Sequence, residues 1–240
     1  MVNIMRIRSL SDYNLNPEYQ RVLNGYFDDA VRILGDRMIV FMLTSSCGLE
    51  KYIPGWSDID ILIVADKLDF ASLRELHNAQ AEYSIKIALA LLSQHEFNEK
   101  MFDDKTNVVF YQVSEGLLAP NFVKKEAVTE FPNVTIREIQ EDDKCMMPMY
   151  LHKLRRALYA PSNDKRIILK TLYIVLKMCL RSEGHCIIAK SYSEAFDMFA
   201  SEFNEQKFDI MTEILSGTYA STEFINYARH IVEKICNNQL

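Results

Sequence analysis

The stretch Leu43–Val64 reads L-T-S-S-C-G-L-E-K-Y-I-P-G-W-S-D-I-D-I-L-I-V. Asp58 and Asp60 stand two apart at the head of the β-rich run Asp58–Val64. Alternate side chains of a strand share a face, so both carboxylates point the same way. Two like charges so placed repel each other unless a cation lies between them. Mg²⁺ (or Mn²⁺) meets that need, binding one or two carboxylates together with substrate phosphates. Ser45 and Ser46 close the preceding apolar run, where hydroxyls and backbone N–H groups suit a phosphate. The plain alternative is a solvated strand edge with Ser57 and Asp58 capping a turn. The upstream serine pair and the run Ile61–Val64 behind the acids favour the metal and phosphate reading.

The elements that must position these groups follow from periodicity. Pro17–Gly35 carries a helical period through Val22, Tyr26, Ala30 and Ile33, with Gly35 as the stop. Met38–Thr44 and Asp58–Val64 read as strands, and residues 68–82 as a helix between them and the next strand, Ile85–Leu92. In that strand Ile85, Ile87, Leu89 and Leu91 share one face, and Lys86, Ala88 and Ala90 the other. Gln94–Phe102 is expected to be a short helix, and Asn107–Val113 and Val134–Ile139 extended segments. From about residue 141 the apolar residues recur at helical spacing. Met147, Leu151, Leu154 and Leu158 form one stripe, and Ile168, Leu172, Val175 and Cys179 the next, bounded by Pro161–Ser162 and Gly184. Stripes led by Phe196, Phe208 and Phe224 follow. These spacings predict an α+β chain with a mixed N-terminal part, 1–140, and a C-terminal helical bundle, 141–240.

Composition removes several function classes. The seven glycines, at 25, 35, 48, 55, 116, 184 and 217, never fall into G-x-G-x-x-G or the P-loop pattern. Phosphate binding must therefore use another device. With 27 basic against 33 acidic residues, a formal −6, no broad nucleic-acid surface is expected. The longest apolar runs, Met38–Leu43 and Ile87–Leu92, are too short for a bilayer, and Met1–Tyr13 shows no signal-peptide core. Five cysteines without C-x-x-C spacing fit a reducing cytoplasm.

The strand, small-residue turn, connection and S-D-x-D together resemble the nucleotidyltransferase superfamily of the DNA polymerase β type. More narrowly, they resemble the two-domain aminoglycoside (streptomycin/spectinomycin) adenylyltransferases. The resemblance implies a polymerase-β-like domain with a mixed sheet and flanking helices, followed by the bundle. It implies an NTP as substrate, Ser45, Ser46 and Ser57 at the nucleotide, and Asp58 and Asp60 holding the metal. Gly184-His-Cys-Ile-Ile-Ala-Lys190 is similar to a helix break whose lysine reaches the triphosphate, and Tyr219 resembles in position a tyrosine near a following helix end, with a tyrosine of no such role as the plain alternative. A surface lysine at a helix start is the plain alternative for Lys190. An active site at a domain or subunit junction is implied too, which leaves monomer and homodimer open.

Three departures stand out. Ser45 replaces the signature glycine, the connection to Asp58 is one residue longer than the common pattern, and a third carboxylate expected on the later strand is Lys86. Buried and neutral, Lys86 would serve as a base; exposed, its ammonium would compete with the metal. Glu82, Glu138 or Glu183 is a third way to complete the site. The leading expectation is transfer of a nucleoside monophosphate, AMP first, from Mg-NTP to a hydroxyl of a small-molecule acceptor, aminoglycosides included. The other is a catalytically degenerate protein of this fold acting as a nucleotide-binding or antitoxin-like module.

Overall fold

A run as uniformly apolar as Met38–Thr44 has to be covered on both faces. It forms β1 (Met38–Thr44), buried at every position. Before it lies α1 (Pro17–Leu34), opened by the Asn16 side chain, which accepts the Tyr19 N–H at 2.9 Å. After it come the four-residue α2 (Ser45–Gly48), β2 (Ile59–Ala65), α3 (Phe70–Ala81) and β3 (Ile87–Ser93). The computed structural model describes residues 6–128, 130–160, 164–186, 188, 190–217 and 219–237. Residues 1–5 of the N-terminal reading, the Pro161–Ser162 boundary and Ile187 and Ala189 of the Lys190 motif lie outside them.

The sheet is mixed. Its order is β3-β2-β1-β4, where β4 is the two-residue strand Phe122–Val123; β2 runs antiparallel to β1 and parallel to β3, and β4 is antiparallel to β1. Phe41 and Leu43 of β1 and Ile59, Ile61 and Ile63 of β2 share one face and pack with Tyr26 and Leu23 of α1 and Leu76 of α3. The opposite face is closed at its far end, where Leu62 and Val64 are fully buried. Toward the start of β2 and β3 it opens, and Ala88 and Ala90 are only half-buried. Asp60 stands at that open end, paired in register with Thr44 on one side and Ala88 on the other.

Two expectations are corrected in this unit. Asn107–Val113 is not a strand but lies within α5 (Asp104–Ser114), which follows the short α4 (Gln94–Asn98). The run V-V-F-Y has strand-like composition, but Asp103 caps a helix by accepting the Thr106 N–H at 2.8 Å. Phe110 then anchors an aromatic cluster, its ring 4.5 Å from that of Phe102 and 5.6 Å from that of Phe97. Val134–Ile139 is not extended throughout, because helix begins at Ile136; the remaining strand is instead β4, too short for any periodicity to announce.

The chain divides into two compact units, Met1–Thr135 and Ile136–Leu240, so the charged stretch 138–144 lies inside the first helix of the second unit. That unit contains α6 (Ile136–Tyr159), α7 (Lys165–Ser182), α8 (Tyr192–Glu202), α9 (Ile210–Leu215) and α10 (Thr222–Cys236). Leu154 and Leu158 of α6 and Ile168, Leu172 and Val175 of α7 are buried, as their spacing predicts. α7 ends at a left-handed Gly184 (φ +87°), whose N–H reaches the Arg181 carbonyl at 3.0 Å. The Arg181 guanidinium meets the Asp143 carboxylate through two 2.6 Å hydrogen bonds, both side chains buried. Lys165, only 2 % exposed, donates to the Glu213 carbonyl at 2.8 Å and to the Ser216 and Gly217 carbonyls. It thereby closes the C-terminal end of α9, while Glu213 accepts the Ser221 N–H at the start of α10.

Lys177 of α7 lies 4.9 Å from the centre of the Tyr173 ring. Burial first, and then the Arg181 charge, push its ammonium down to about 7, against an opposing pull from Asp143. A folded-state value below the unfolded one means that between about 7 and the usual lysine range the unfolded chain holds a proton the folded chain has released. Stability from this group therefore rises with pH across that window. Lys177→Met, similar in volume but uncharged, is expected to stabilise the helical unit at pH 7 by on the order of a few kcal/mol. The gap from the parent narrows by pH 9; urea titrations followed by circular dichroism at both pH values measure it.

Candidate active site

Asp58 immediately precedes β2, and the backbone ladder already reaches it, since the Ile59 N–H donates to the Lys86 carbonyl at 2.9 Å. The loop leading to Asp58 is held from α1. The Tyr19 hydroxyl donates to the Ser57 carbonyl at 2.8 Å and accepts the Gly55 N–H at 3.2 Å. Ser57 is 8 % exposed and its hydroxyl accepts the Ile53 N–H at 2.9 Å, so this serine closes the loop from within. On the other flank Thr44 Oγ1 donates to the Asp60 carbonyl at 3.1 Å, and Cys47 Sγ to the Asp58 carbonyl at 3.4 Å. Burial pushes the Cys47 thiol up to about 12, with the Asp60 and Asp58 charges adding to it and a hydrogen bond to Ser46 opposing. This thiol is a packed hydrophobe carrying a weak donor.

Ser45 and Ser46 begin α2 directly after β1 and are half-buried. The turn is tightened from inside: the Leu49 N–H donates to the Ser45 carbonyl at 3.0 Å and the Lys51 N–H to the Ser46 carbonyl at 2.8 Å. Ser45 has φ +52°, a left-handed conformation that favours glycine. The serine therefore occupies glycine geometry at a strain cost. The glycine the turn does keep is Gly48, where a Cβ would stand 2.6 Å from the Leu43 carbonyl oxygen. Ser45→Gly is expected to stabilise the protein by about 1 kcal/mol, the αL penalty less the entropy glycine adds to the unfolded chain. Differential scanning calorimetry measures the gain, and a fall in melting temperature contradicts it.

Lys86 lies beside Asp58, with Nζ 3.8 Å from Oδ2; the lysine side chain is 73 % exposed and the aspartate 11 %. The burial on which the base reading depends is absent. With its ammonium largely in water, Lys86 contributes to this 3.8 Å pair only on the order of 1 kcal/mol. Glu82 caps α3 and lines a shallow recess of about 280 Å³ with Asp29 and Glu75, between α1 and α3. Those helices cover the face opposite the aspartates. Glu138 and Glu183 belong to the second unit. Among the described residues no three carboxylates, histidines or cysteines gather into a metal-binding group. Two carboxylates on one strand face remain a suitable donor set for Mg²⁺, because triphosphate oxygens and water fill the rest of its shell.

No family model matches this sequence, and no curated protein matches it. Among solved structures it is similar to spectinomycin adenyltransferase AAD(9) from Enterococcus faecialis, crystallised with ATP and spectinomycin. The TM-score is 0.61 at 12% identity, over 89% of this chain and 97% of that one. The chain shares the fold of that adenyltransferase.

In that fold the structure brings together Ser45, Ser46, Asp58, Asp60 and Lys86 at one end of the sheet. Lys190 and Tyr219 belong to the second unit. Lys190 directly precedes Ser191, the cap of α8; its Nζ is 4.0 Å from Glu194 and its carbonyl accepts the Tyr173 hydroxyl at 2.7 Å. Tyr219 is 74 % exposed and bridges to Asp164. Sequence reading missed Tyr19, Thr44 and Tyr173, which hold these residues in place. Thr44 had a visible signal, the last position of an apolar strand before the serine turn. Tyr19 and Tyr173 act through backbone carbonyls that no sequence pattern connects to them.

Proposed function

We propose that this chain is a nucleotidyltransferase that moves a nucleoside monophosphate, AMP first, from an NTP to a small-molecule acceptor. One observation carries the reading: two carboxylates on one strand face, beside a serine turn at the end of the adjacent strand, in this fold. Asp58 and Asp60 would hold Mg²⁺ or Mn²⁺. When bound, such an ion offsets triphosphate charge and polarises the phosphoryl oxygens. Ser45 and Ser46 take phosphate oxygens through hydroxyl and backbone donors. Thr44 and Tyr19 keep the acidic strand in register. The neighbouring adenyltransferase, crystallised with ATP, supports the choice of nucleotide.

The second reading, a nucleotide-binding regulatory module without turnover, draws on the Lys86 ammonium facing Asp58. Incubation with Mg²⁺, labelled ATP, the other NTPs and an acceptor panel separates the two. Pyrophosphate release that Asp60→Asn abolishes supports the transferase. ATP binding that depends on Asp58 and Asp60, with no release for any acceptor, supports the module.

A further inference from the structure

An acceptor hydroxyl has to lose a proton as it attacks phosphorus, so a site for hydroxyls places a proton acceptor beside the reacting centre. On the strand face next to the two aspartates the chain places something else. Reading outward from the register partner of Asp60, β3 presents Ala88 and Ala90, and the residue before the strand on that face is Lys86. The residues Ile87–Ser93 contain no acid and no histidine. The side chain that reaches the aspartates from this strand is an ammonium, 3.8 Å from Asp58 and largely in water. Ala88 and Ala90, both half-buried, place only methyl groups beside it. This is a place for a negative charge to arrive, where a cationic acceptor would meet a like charge.

We propose that the acceptor is an oxyanion, a carboxylate or a phosphate monoester, and that Lys86 is the residue that binds it. The inference rests on the transferase reading above and names its substrate class. Carboxylates and phosphate monoesters are already ionised near pH 7, so no base is needed. An oxygen of the acceptor forms a bond to the α-phosphorus, and the bond from that phosphorus to the bridging oxygen breaks. Pyrophosphate leaves with the electron pair, and no proton has to be removed. A carboxylate gives an acyl adenylate, a phosphate monoester a phosphoanhydride. Lys86 can turn from Asp58 to the incoming anion because its ammonium, 3.8 Å from that carboxylate, lies on a side chain that is itself largely in water. Its charge then offsets the repulsion between the acceptor and the triphosphate.

The test combines transfer and binding. The full chain is incubated with Mg²⁺ and α-labelled ATP against three arms: acetate and benzoate, with hydroxylamine as trap; glycerol 3-phosphate; and spectinomycin and streptomycin as hydroxyl acceptors. Asp60-dependent pyrophosphate release is expected in a carboxylate or phosphate arm, at least tenfold above the hydroxyl arm. Hydroxamate formation or a stable diphosphate product tells which oxyanion it is. Lys86→Glu is expected to lower that kcat/KM at least tenfold and to raise hydroxyl transfer. Lys86→Arg retains most of it. Separately, calorimetric binding of the active oxyanion to the protein with Mg²⁺ and without nucleotide is expected to weaken at least tenfold in Lys86→Met and to persist in Lys86→Arg. Asp60-dependent release in the hydroxyl arm alone overturns the acceptor class and leaves the transferase reading standing. Absence of Asp60-dependent release in every arm overturns both, and binding indifferent to Lys86→Met overturns the role of the lysine.

Discussion

Asp60→Asn is expected to lower nucleotidyl transfer by about 10³-fold, close to 4 kcal/mol of transition-state stabilisation. The change keeps size and shape but replaces a carboxylate by a neutral amide. The local backbone has no reason to move: the Asp60 carbonyl still accepts Thr44 Oγ1, and the strand pairs on both sides as before. Folding is expected to be little affected, since size and shape are kept, one of two like charges at a strand start is removed, and Asp58 keeps the exposed Lys86 as neighbour. The expected signature is a lost rate with a nearly unchanged melting temperature. Pyrophosphate release and calorimetry on the same preparation check both halves. A rate within tenfold of the parent contradicts the assignment of Asp60, and a collapsed melting temperature would make the lost rate uninformative. Asp58→Asn serves as the second arm, with Lys86 left without its carboxylate.

How far the sequence exposes this site depends on the range of the interaction that builds each part. Asp58 and Asp60 are legible because strand alternation is a property of neighbours, and β2 carries it through to Ala65. The helices of the second unit are legible in the same way, through stripes such as Ile168, Leu172 and Val175. Where the competing periodicities tie, as in Val108–Tyr111, composition points to a strand and the Asp103 cap and the Phe97 and Phe102 rings decide for a helix. The backbone of Ser45 is invisible from the residue type, because serine ordinarily avoids the left-handed region that this turn imposes. No sequence pattern singles out Lys165, which is buried against carbonyls some fifty positions away. Its function as a plug at the end of α9 exists only once the chain has folded. Lys86 falls between these cases. Its place on the strand face is readable, but its exposure, on which the choice between base and ammonium turns, is a property of what packs around it.

Arg181→Met is expected to destabilise the helical unit by about 3–5 kcal/mol, a large part of the 5–15 kcal/mol typical of a whole domain. The guanidinium and Asp143 are about 5 and 9 % exposed, and each carboxylate oxygen accepts one 2.6 Å bond. Removing the cation strands a buried carboxylate. Exchanging both partners, as in Asp143→Leu with Arg181→Met, removes that penalty and is expected to recover most of the loss, because paired burial itself contributes little net stability. Lys177 adds a pH dependence that distinguishes this explanation from simple loss of packing. Arg181 holds the Lys177 ammonium down and Asp143 pulls it up, so without Arg181 the lysine protonates more readily and moves in charge toward the stranded acid. The single variant should therefore be less damaged at pH 6 than at pH 9, while a packing defect would be indifferent to pH. Urea unfolding followed by far-ultraviolet circular dichroism, on parent, single and double variants at the two pH values, measures both effects. Equal losses at pH 6 and pH 9, or a double variant no better than the single, would assign the residue to packing alone.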